Sequence, residues 1–467
     1  MTDALELRAR RANGVPLPSQ SRPFARRVLT SPWTWVTFAA VVLFALIWFD
    51  LYRDWTASVT VRSPGSPDAV IDGASPGMIR QAAFYAMWTL LFWIAVFLIA
   101  DRFRPQRPLV WFLALGWGSC IAVWLSRYAN TWAAGHLGVV GSGDGASQAR
   151  VAIFVAPFIE EGAKATVLFW LAILVRQRLV SKLSLISLGG LSAAGFAFTE
   201  NIQYYWNVIW YATRTIDVGD AQAAVDNIVR LRGIVTAFGH PLFTIMTAVG
   251  VAIALRARTK VVRVLAPLAG YLLASGLHMV FNSQATLQDE AGQLMLYVLV
   301  ALPMVLMVTV FTVVQAVKQS RLIRSRLTDY VRTGWLTPED PVVFSRLRTR
   351  LHAWIVSLTW GGSCWLATLR LQHAMTELAY LRDAEARGLV DEVASARARE
   401  VLGEIQRLRP AAVDDPRGRK LNLPRPRWPW SRRRQAPPPG GFGDWSPPGG
   451  PTTRYSAVDP SWAPPPG

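Results

Sequence analysis

The sequence predicts an all-α polytopic membrane protein of about eight transmembrane helices, followed by a cytoplasmic helical appendage and a disordered tail rich in proline and arginine. Three observations favour this class. The 467 residues are 52% hydrophobic and only 17% charged, the mean hydropathy is +0.26, and the apolar residues form long runs. Soluble proteins carry about a quarter charged residues. An ordinary soluble enzyme is therefore disfavoured.

Eight apolar runs are long enough to cross a bilayer, which takes about 20 helical residues. They lie at 33–52, 82–100, 108–126, 151–175, 183–206, 233–255, 262–283 and 291–317. Strands of a membrane barrel would instead alternate in hydrophobicity over segments of about 10 residues. The runs are therefore predicted to be helices, and together they form one membrane domain at 33–317.

The basic residues set the predicted orientation of these helices. The net charge is +19, and arginine and lysine concentrate in the N-terminal segment 1–32 and in the loops after the second, fourth, sixth and eighth runs. Basic loops stay on the cytoplasmic side of a membrane. The chain is predicted to lie in the cell membrane, in contact with lipid, with both termini in the cytoplasm.

Beyond the last run the composition changes twice. Region 318–412 has charges every few residues and is predicted to be a cytoplasmic helical region, with its apolar stretch at 354–369 lying on a surface or forming a small packed hairpin. The Pro/Gly/Arg-rich segment 413–467 is predicted to be disordered. It is interpreted as a tail near lipid headgroups, with docking of a cytoplasmic partner as the alternative. No nucleic-acid-binding module accompanies the charge, so nucleic acid is not a predicted partner.

Ionisable residues inside the predicted helices are confined to four successive runs, the fourth to the seventh. A charged group at mid-membrane costs about 2.5–3.5 kcal/mol, so such groups need interior partners and by default mark a functional site. At 1.5 Å per residue, the four helices place them about 8–12 Å from their outer ends. These residues are Glu160, Glu161, Lys164, Glu200, His240 and His278.

The fourth run carries two adjacent carboxylates and a lysine. Glu160 and Lys164 are four residues apart and share a helix face, and Glu161 lies three residues from the same lysine. Lys164 can neutralise one carboxylate, which leaves the other suited to act as a general base for water. A structural ion pair is the alternative, but it would not need the excess negative charge.

The next three runs each add a polar pair. Glu200 could hold the water, share a proton or complete a metal site, and Asn201 either orients it or faces a neighbouring helix. His240 precedes a proline, which predicts a break in the helix of the kind tolerated where backbone lines a cavity. His278 and Asn282 are four residues apart and could both donate hydrogen bonds to a developing oxyanion. Buried structural pairs are the alternative in each case.

These motifs resemble those of the PrsW family of intramembrane proteases, which is related to CAAX prenyl endopeptidases and bacteriocin-processing membrane proteases. The resemblance rests on Glu-Glu-x-x-Lys at 160–164, Phe-x-x-x-Glu-Asn at 196–201, His-Pro-x-Phe-Thr at 240–244 and His-x-x-x-Asn at 278–282. The CAAX relatives carry histidine where this chain has Glu200. The resemblance implies hydrolysis of a peptide bond in a single-pass membrane protein, such as an anti-sigma factor, near the outer membrane face.

The resemblance also implies roles for the site residues. Glu160 would be the base, with its charge set by Glu161 and Lys164, and Glu200 would help to hold the water. The two histidines and Asn282 would orient groups or stabilise the oxyanion. The predicted catalytic residues are Glu160, Glu161, Lys164, Glu200, Asn201, His240, His278 and Asn282.

Two alternatives stay open at this stage. Metal-free glutamate catalysis is favoured because no His-Glu-x-x-His helix is present, but zinc would find normal ligands in this set. The zinc ligands would be Glu160, Glu200, His240 and His278. A proton-coupled transporter could also use buried glutamates and histidines, although the chain lacks the internal repeat that is typical of transporters.

Overall fold

The computed structural model describes residues 28–61, 69–103, 106–136, 145–174, 181–214, 220–283, 292, 295, 297–387, 392–419 and 421–422. These residues are mostly helical, and their one sheet is a two-stranded antiparallel hairpin. The predicted all-α polytopic class is therefore confirmed. The N-terminal segment up to residue 27 and the tail from residue 423 lie outside the described residues.

Two compact units divide the chain. The membrane unit comprises the described residues within 19–101 and 105–313, and the C-terminal unit comprises those within 102–104 and 314–467. The elements of the membrane unit are α1 Pro32–Thr56, β1 Val59–Val61, β2 Ala69–Ile71, α2 Pro76–Ala100, α3 Pro108–His136, α4 Gly145–Phe154, α5 Ala156–Leu174, α6 Lys182–Ala212, α7 Ala221–Arg230, α8 Gly239–Ala254, α9 Lys260–Ser283 and the first part of α10 Tyr297–Arg332.

Among the described residues, seven helical segments are long and apolar enough to cross a membrane: α1, α2, α3, α6, the segment Ala221–Ala254 that contains α7 and α8, α9 and α10. The fourth predicted run is also a helix, α5, but three charged residues lie within its 19 positions. It packs against α6, α8 and α9, and its charged side chains are buried. The protein is thus a multi-pass membrane protein whose most polar membrane helix is enclosed by others.

Helix α6 lies at the centre of the membrane unit, and 89% of the residues in its most apolar stretch are buried. Small residues let it approach α3 to backbone contact: a Cβ atom on Gly195 would lie 2.2 Å from the Leu115 carbonyl oxygen. Helix α3 widens there into a π-helical turn at Trp117–Ala122, and Thr199 donates a 2.7 Å hydrogen bond to the Ser119 carbonyl oxygen. This hydrogen bond fixes α6 against α3 at the residue before Glu200.

Helices α8 and α9 are joined in the same way. A Cβ atom on Gly250 would lie 2.3 Å from the Ala266 carbonyl oxygen, and one on Gly270 would lie 2.5 Å from the Met246 carbonyl oxygen. Backbones that approach this closely leave little freedom to slide. The α8–α9 pair is therefore a rigid support for the polar residues on both helices.

The C-terminal unit is a helical assembly of its own, formed by the end of α10 with α11 Asp340–Ser345, α12 Leu347–Thr359, α13 Gly362–Ala386 and α14 Glu392–Leu408. Its core contains Ile323, Leu327, Leu371, Met375 and Val401. Helices α12 and α13 form the packed hairpin that the sequence predicts. The turn uses Gly361 at φ 106°, a backbone conformation that favours glycine.

Ordered chain continues past residue 412, where the sequence predicts disorder to begin. Val413 is fully buried with Ala353, Val356 and Cys364, and its backbone N–H donates to Thr368 Oγ1 at 2.9 Å. The prediction for the first residues of 413–467 was therefore wrong, because composition averaged over the tail hides one apolar residue that fills a gap between α12 and α13. The segment 413–419 belongs to the C-terminal unit.

Candidate active site

Glu161 and Lys164 form the innermost ion pair of the membrane unit. The lysine Nζ lies 2.6 Å from Glu161 Oε1, and both side chains are fully buried. Thr244 on α8 donates a 2.7 Å hydrogen bond to Glu161 Oε2, while the ammonium group sits 4.2 Å above the ring centre of Phe196 on α6. Both oxygens of Glu161 are occupied, so this carboxylate is a fixed anchor.

His278 on α9 is oriented by that anchor. Its Nδ1 lies 3.1 Å from Glu161 Oε1, and its ring stacks on Phe243 with 5.1 Å between centroids. A carboxylate can only accept, so Nδ1 carries the proton and Nε2 presents its lone pair. That Nε2 lies 3.8 Å from Glu160 Oε2.

His240 on α8 is held by Glu200 and Lys164, one at each ring nitrogen. Its Nε2 lies 2.8 Å from Glu200 Oε2, and its Nδ1 lies 3.1 Å from Lys164 Nζ. An ammonium group donates, so the imidazole accepts at Nδ1 and donates from Nε2 to the carboxylate. The rings of His240 and His278 meet edge to face, with 5.1 Å between centroids.

The helix break predicted at the proline places His240 in the site. Regular helix stops after a π-helical turn at Leu231–Val235 and restarts at Gly239. Pro241 therefore falls in the first turn of α8, where the N–H it lacks would have no helical acceptor. The predicted break is confirmed, and it brings the imidazole to the beginning of a helix.

Arg232 is a site residue that the sequence reasoning missed. It lies in the π-helical turn and donates from Nη2 to Glu200 Oε2 at 2.5 Å and from Nε to Asn201 Oδ1 at 3.0 Å. In the sequence it stands directly before the sixth apolar run, where a basic residue is read as part of a loop. Arg232 could have been identified from the sequence, because it stands eight residues, or about two helical turns, before His240.

Glu160 differs from the other acids of the cluster. Its side chain is buried, but its Oε2 atom has no hydrogen-bond partner among the described residues. Lys164 Nζ lies 3.8 Å from this oxygen. One ligand atom each from Glu160, His240 and His278 lie within 4.8 Å of one another. An unpartnered carboxylate oxygen beside two imidazoles is a donor set that suits a divalent metal ion such as zinc.

A cleft of about 440 Å³ leads to the cluster between α3 and α6. Its lining includes Glu160, Phe196 and Glu200 at one end and residues of α3 between Val123 and Thr131 along the side. The acidic end of the cluster is therefore open to a molecule in the cleft.

Seven of the eight predicted catalytic residues meet through these contacts. Hydrogen bonds and ion pairs between these side chains join α5, α6, α8 and α9, while their depth in the membrane stays a prediction. Asn282 is not brought into the cluster: its amide nitrogen donates to the Ala152 carbonyl oxygen at 2.9 Å. Its predicted role toward an oxyanion stays a prediction.

Comparison with known protein families gives one match. Residues 105–310 match the model of the family described as "PrsW family intramembrane metalloprotease". This range contains every residue of the cluster. No curated protein and no solved structure matches the chain significantly.

Proposed function

We propose that this chain, whose residues 105–310 match the PrsW family model, is a PrsW-like intramembrane endopeptidase that uses Glu160, His240 and His278 to activate water. The family match supports an intramembrane protease in general. The finer proposal is carried by one observation: these three side chains converge, and Glu160, which lines the cleft, keeps one buried oxygen without a partner.

The charges of the cluster favour a cation at Glu160. Three carboxylates face two permanent cations, Lys164 and Arg232. With neutral imidazoles, one negative charge is left over, and burying an uncompensated charge is costly. A proton on Glu160 would balance that charge, and so would a divalent metal ion that carries a hydroxide. In the metal-free version Glu160 would have to lose that proton before it could accept one from water.

The donor set favours the zinc version of the reaction. Glu160, His240 and His278 would hold the ion and leave a fourth position for water, as is usual in catalytic zinc sites. His240 would bind through Nδ1, the nitrogen that accepts from Lys164 in this structure. Bound zinc would lower the pKa of that water and polarise the substrate carbonyl group. Glu200, a predicted ligand, has Oε2 engaged by Arg232 and His240, so we assign it an orienting role instead.

The remaining residues hold the imidazoles in place. Glu161 accepts from His278 and Glu200 accepts from His240, which is the arrangement that fixes the tautomer and ring orientation of metal-binding histidines. Lys164 places a positive charge between the two glutamates of α5. It can offset negative charge that develops on the carbonyl oxygen under attack.

The substrate we propose is a single-pass membrane protein cut on its outer side. Helices α3 and α6 both begin after basic loops, so their C-terminal ends are predicted to face outward. The cleft is lined by the C-terminal halves of these two helices. An anti-sigma factor is the substrate class that the family resemblance implies.

Cleavage in liposomes tests the proposal. Purified protein is reconstituted with a panel of tagged single-pass proteins, beside the variants Glu160→Gln and His278→Ala and a parallel measurement of solute uptake. We expect wild-type cleavage that both variants lose. Cleavage that both variants retain would refute the site, and uptake that depends on the same residues without cleavage would favour the transporter.

Metal content separates the two versions of the chemistry. We expect purified wild-type protein to contain about one zinc per chain by mass spectrometry, and Glu160→Gln and His240→Ala to contain much less. A chelator should abolish cleavage, and added zinc should restore it. Full activity in metal-free protein would instead establish catalysis by the glutamate alone.

A further inference from the structure

One wall of the cleft carries polar side chains that the proposed chemistry does not use. Ser126, Arg127 and Asn130 line it from a single face of α3. We call these three residues the α3 polar face. Each of them has a buried polar atom with no hydrogen-bond partner in the described part of the chain: Ser126 Oγ, Arg127 Nη1 and Asn130 Oδ1.

Three such atoms on one helix face require an explanation. A buried donor or acceptor without a partner costs about 1–3 kcal/mol, and native proteins tolerate few of them. Thr131 lines the same cleft, but its hydroxyl already donates to the Arg127 carbonyl oxygen at 2.9 Å. Among the residues of α3 that line the cleft, the unpartnered atoms are therefore those of the α3 polar face.

The α3 polar face is held in place by contacts to α1. Arg127 Nη2 lies 2.5 Å from Asp54 Oδ1. One turn earlier, Trp124 Nε1 donates to Asp50 Oδ2 at 3.1 Å. These contacts fix the rotation of α3, so the same face stays toward the cleft.

The spacing along the cleft suits an extended peptide. Ser126 and Asn130 are four residues apart, about 6 Å along a helix axis, and Gln203 and Asn207 repeat this spacing on the α6 wall. Two residues of an extended chain span about 6.6 Å, so backbone groups that point in the same direction recur at nearly this interval. The backbone of an extended peptide in the cleft could therefore form hydrogen bonds to both the α3 wall and the α6 wall.

A membrane protease also needs such a surface. A peptide bond within a transmembrane helix has its backbone groups engaged in the helix, and an unwound segment leaves those groups unpaired at several kcal/mol each. Resting on the function proposed above, we infer that the α3 polar face binds the backbone of an unwound, extended stretch of the substrate beside the cut peptide bond.

A polypeptide fits this cleft better than a lipid headgroup does. Arg127 already pairs with Asp54, and the end of the cleft carries the carboxylates of Glu160 and Glu200. An anionic headgroup would be repelled by those acids. Backbone amides are neutral and offer both donors and acceptors, which matches a wall that presents a hydroxyl, a guanidinium and an amide.

Photo-crosslinking tests the location without requiring turnover. The full chain with Glu160→Gln is reconstituted with a tagged single-pass protein that the wild-type chain cleaves. A photoreactive residue stands at position 130 or, as the matched control, at 132 on the exposed side of α3. We expect crosslinks from position 130 to be at least several-fold stronger and to map beside the cut site. Equal yields, or crosslinks to lipid alone, would overturn the inference.

Kinetics test the hydrogen bonds. The variant Ser126→Ala/Asn130→Ala should lower kcat/KM for the same substrate by about 10-fold or more, since each lost bond is worth roughly 0.5–1.5 kcal/mol. Thr131→Val, whose hydroxyl is already satisfied, should stay within about twofold of wild type. Replacing backbone amides beside the cut by esters should slow the wild-type enzyme at particular positions and the double variant less.

The two proposals fail in different ways. If the wild-type chain cleaves no single-pass protein, the proposed function fails. If it cleaves, and the double variant cleaves at the wild-type rate with unchanged sensitivity to esters, only the role of the α3 polar face is refuted. Metal content of the double variant should match wild type, and its thermal stability should be equal or higher because two buried unpaired polar atoms are removed. A loss of either would indicate damage to the active site instead.

Discussion

In the C-terminal unit, Arg397 of α14 reaches both oxygens of Glu377 on α13, at 2.8 and 3.0 Å. In the membrane unit, Glu160 has a buried oxygen with no hydrogen-bond partner, and among the described residues it is the one acidic side chain with such an atom. Both units bury charged groups. They differ in whether the buried oxygens of each acidic side chain have hydrogen-bond partners within the protein.

The C-terminal unit uses its charges to join helices. Arg382 pairs with Asp329 at 3.1 Å and Glu385 at 2.7 Å. Arg350 is fully buried, which lowers the pKa of its guanidinium, and it donates to the Phe344 carbonyl oxygen and Thr376 Oγ1. Such contacts serve the fold. An acid that the fold leaves unsatisfied at the end of a cleft is instead a candidate for chemistry.

The largest expected effect separates Glu160 from these structural charges. Glu160→Gln should slow cleavage by about 10³-fold, since the variant removes a ligand of the proposed zinc or, without metal, the general base. Thermal stability of the metal-free protein in detergent should stay equal or rise, because the variant removes the excess negative charge of the cluster. The matched control is Glu377→Gln, which should cleave normally. Marked destabilisation by Glu160→Gln would mean that this carboxylate is structural.

The neighbouring acid should behave in the opposite way. Glu161→Gln removes the charge that balances fully buried Lys164, and breaking a buried pair costs about 3–5 kcal/mol. Denaturant unfolding should show this loss, and adding Lys164→Met should recover part of it. Unchanged stability in Glu161→Gln would contradict the assignment of this pair as the anchor.

A variant of Arg232 tests its contact with Glu200 and Asn201, which the sequence did not predict. Arg232→Lys should reduce activity by about 10- to 100-fold, as for other residues that orient a metal-binding histidine. Lysine presents a point charge and lacks the planar fork that engages Glu200 and Asn201 together. Exposed Arg230→Lys is the control. Full activity in Arg232→Lys would show that orientation of His240 does not depend on this guanidinium.

The smallest effect is expected in the C-terminal unit. Arg397→Ala should cost about 1 kcal/mol or less, because partly exposed ion pairs contribute little. Hydrogen exchange should quicken in α14, and cleavage should be unchanged. A clear loss of cleavage would show that the C-terminal unit acts on the active site and that the comparison of the two units is too simple.

Much of the site follows from the sequence because polar residues are rare in apolar helices. Glu160, Glu200, His240 and His278 stand out against runs of leucine, alanine and phenylalanine, and helical geometry alone gives their depth. Arg232 did not stand out because basic residues are common near the ends of such runs. Asn282 shares a helix with His278, but spacing cannot show that its amide turns to Ala152.

The sequence by itself determined that the chain crosses a membrane and which helices carry the polar residues. A membrane helix satisfies its own backbone hydrogen bonds, so its existence and its polar positions are local properties. Only the tertiary structure decided that Glu161 is held on both oxygens while Glu160 is left with one free. The two glutamates are adjacent and chemically identical, and their partners on other helices come from α8 and α9, which sequence spacing cannot align.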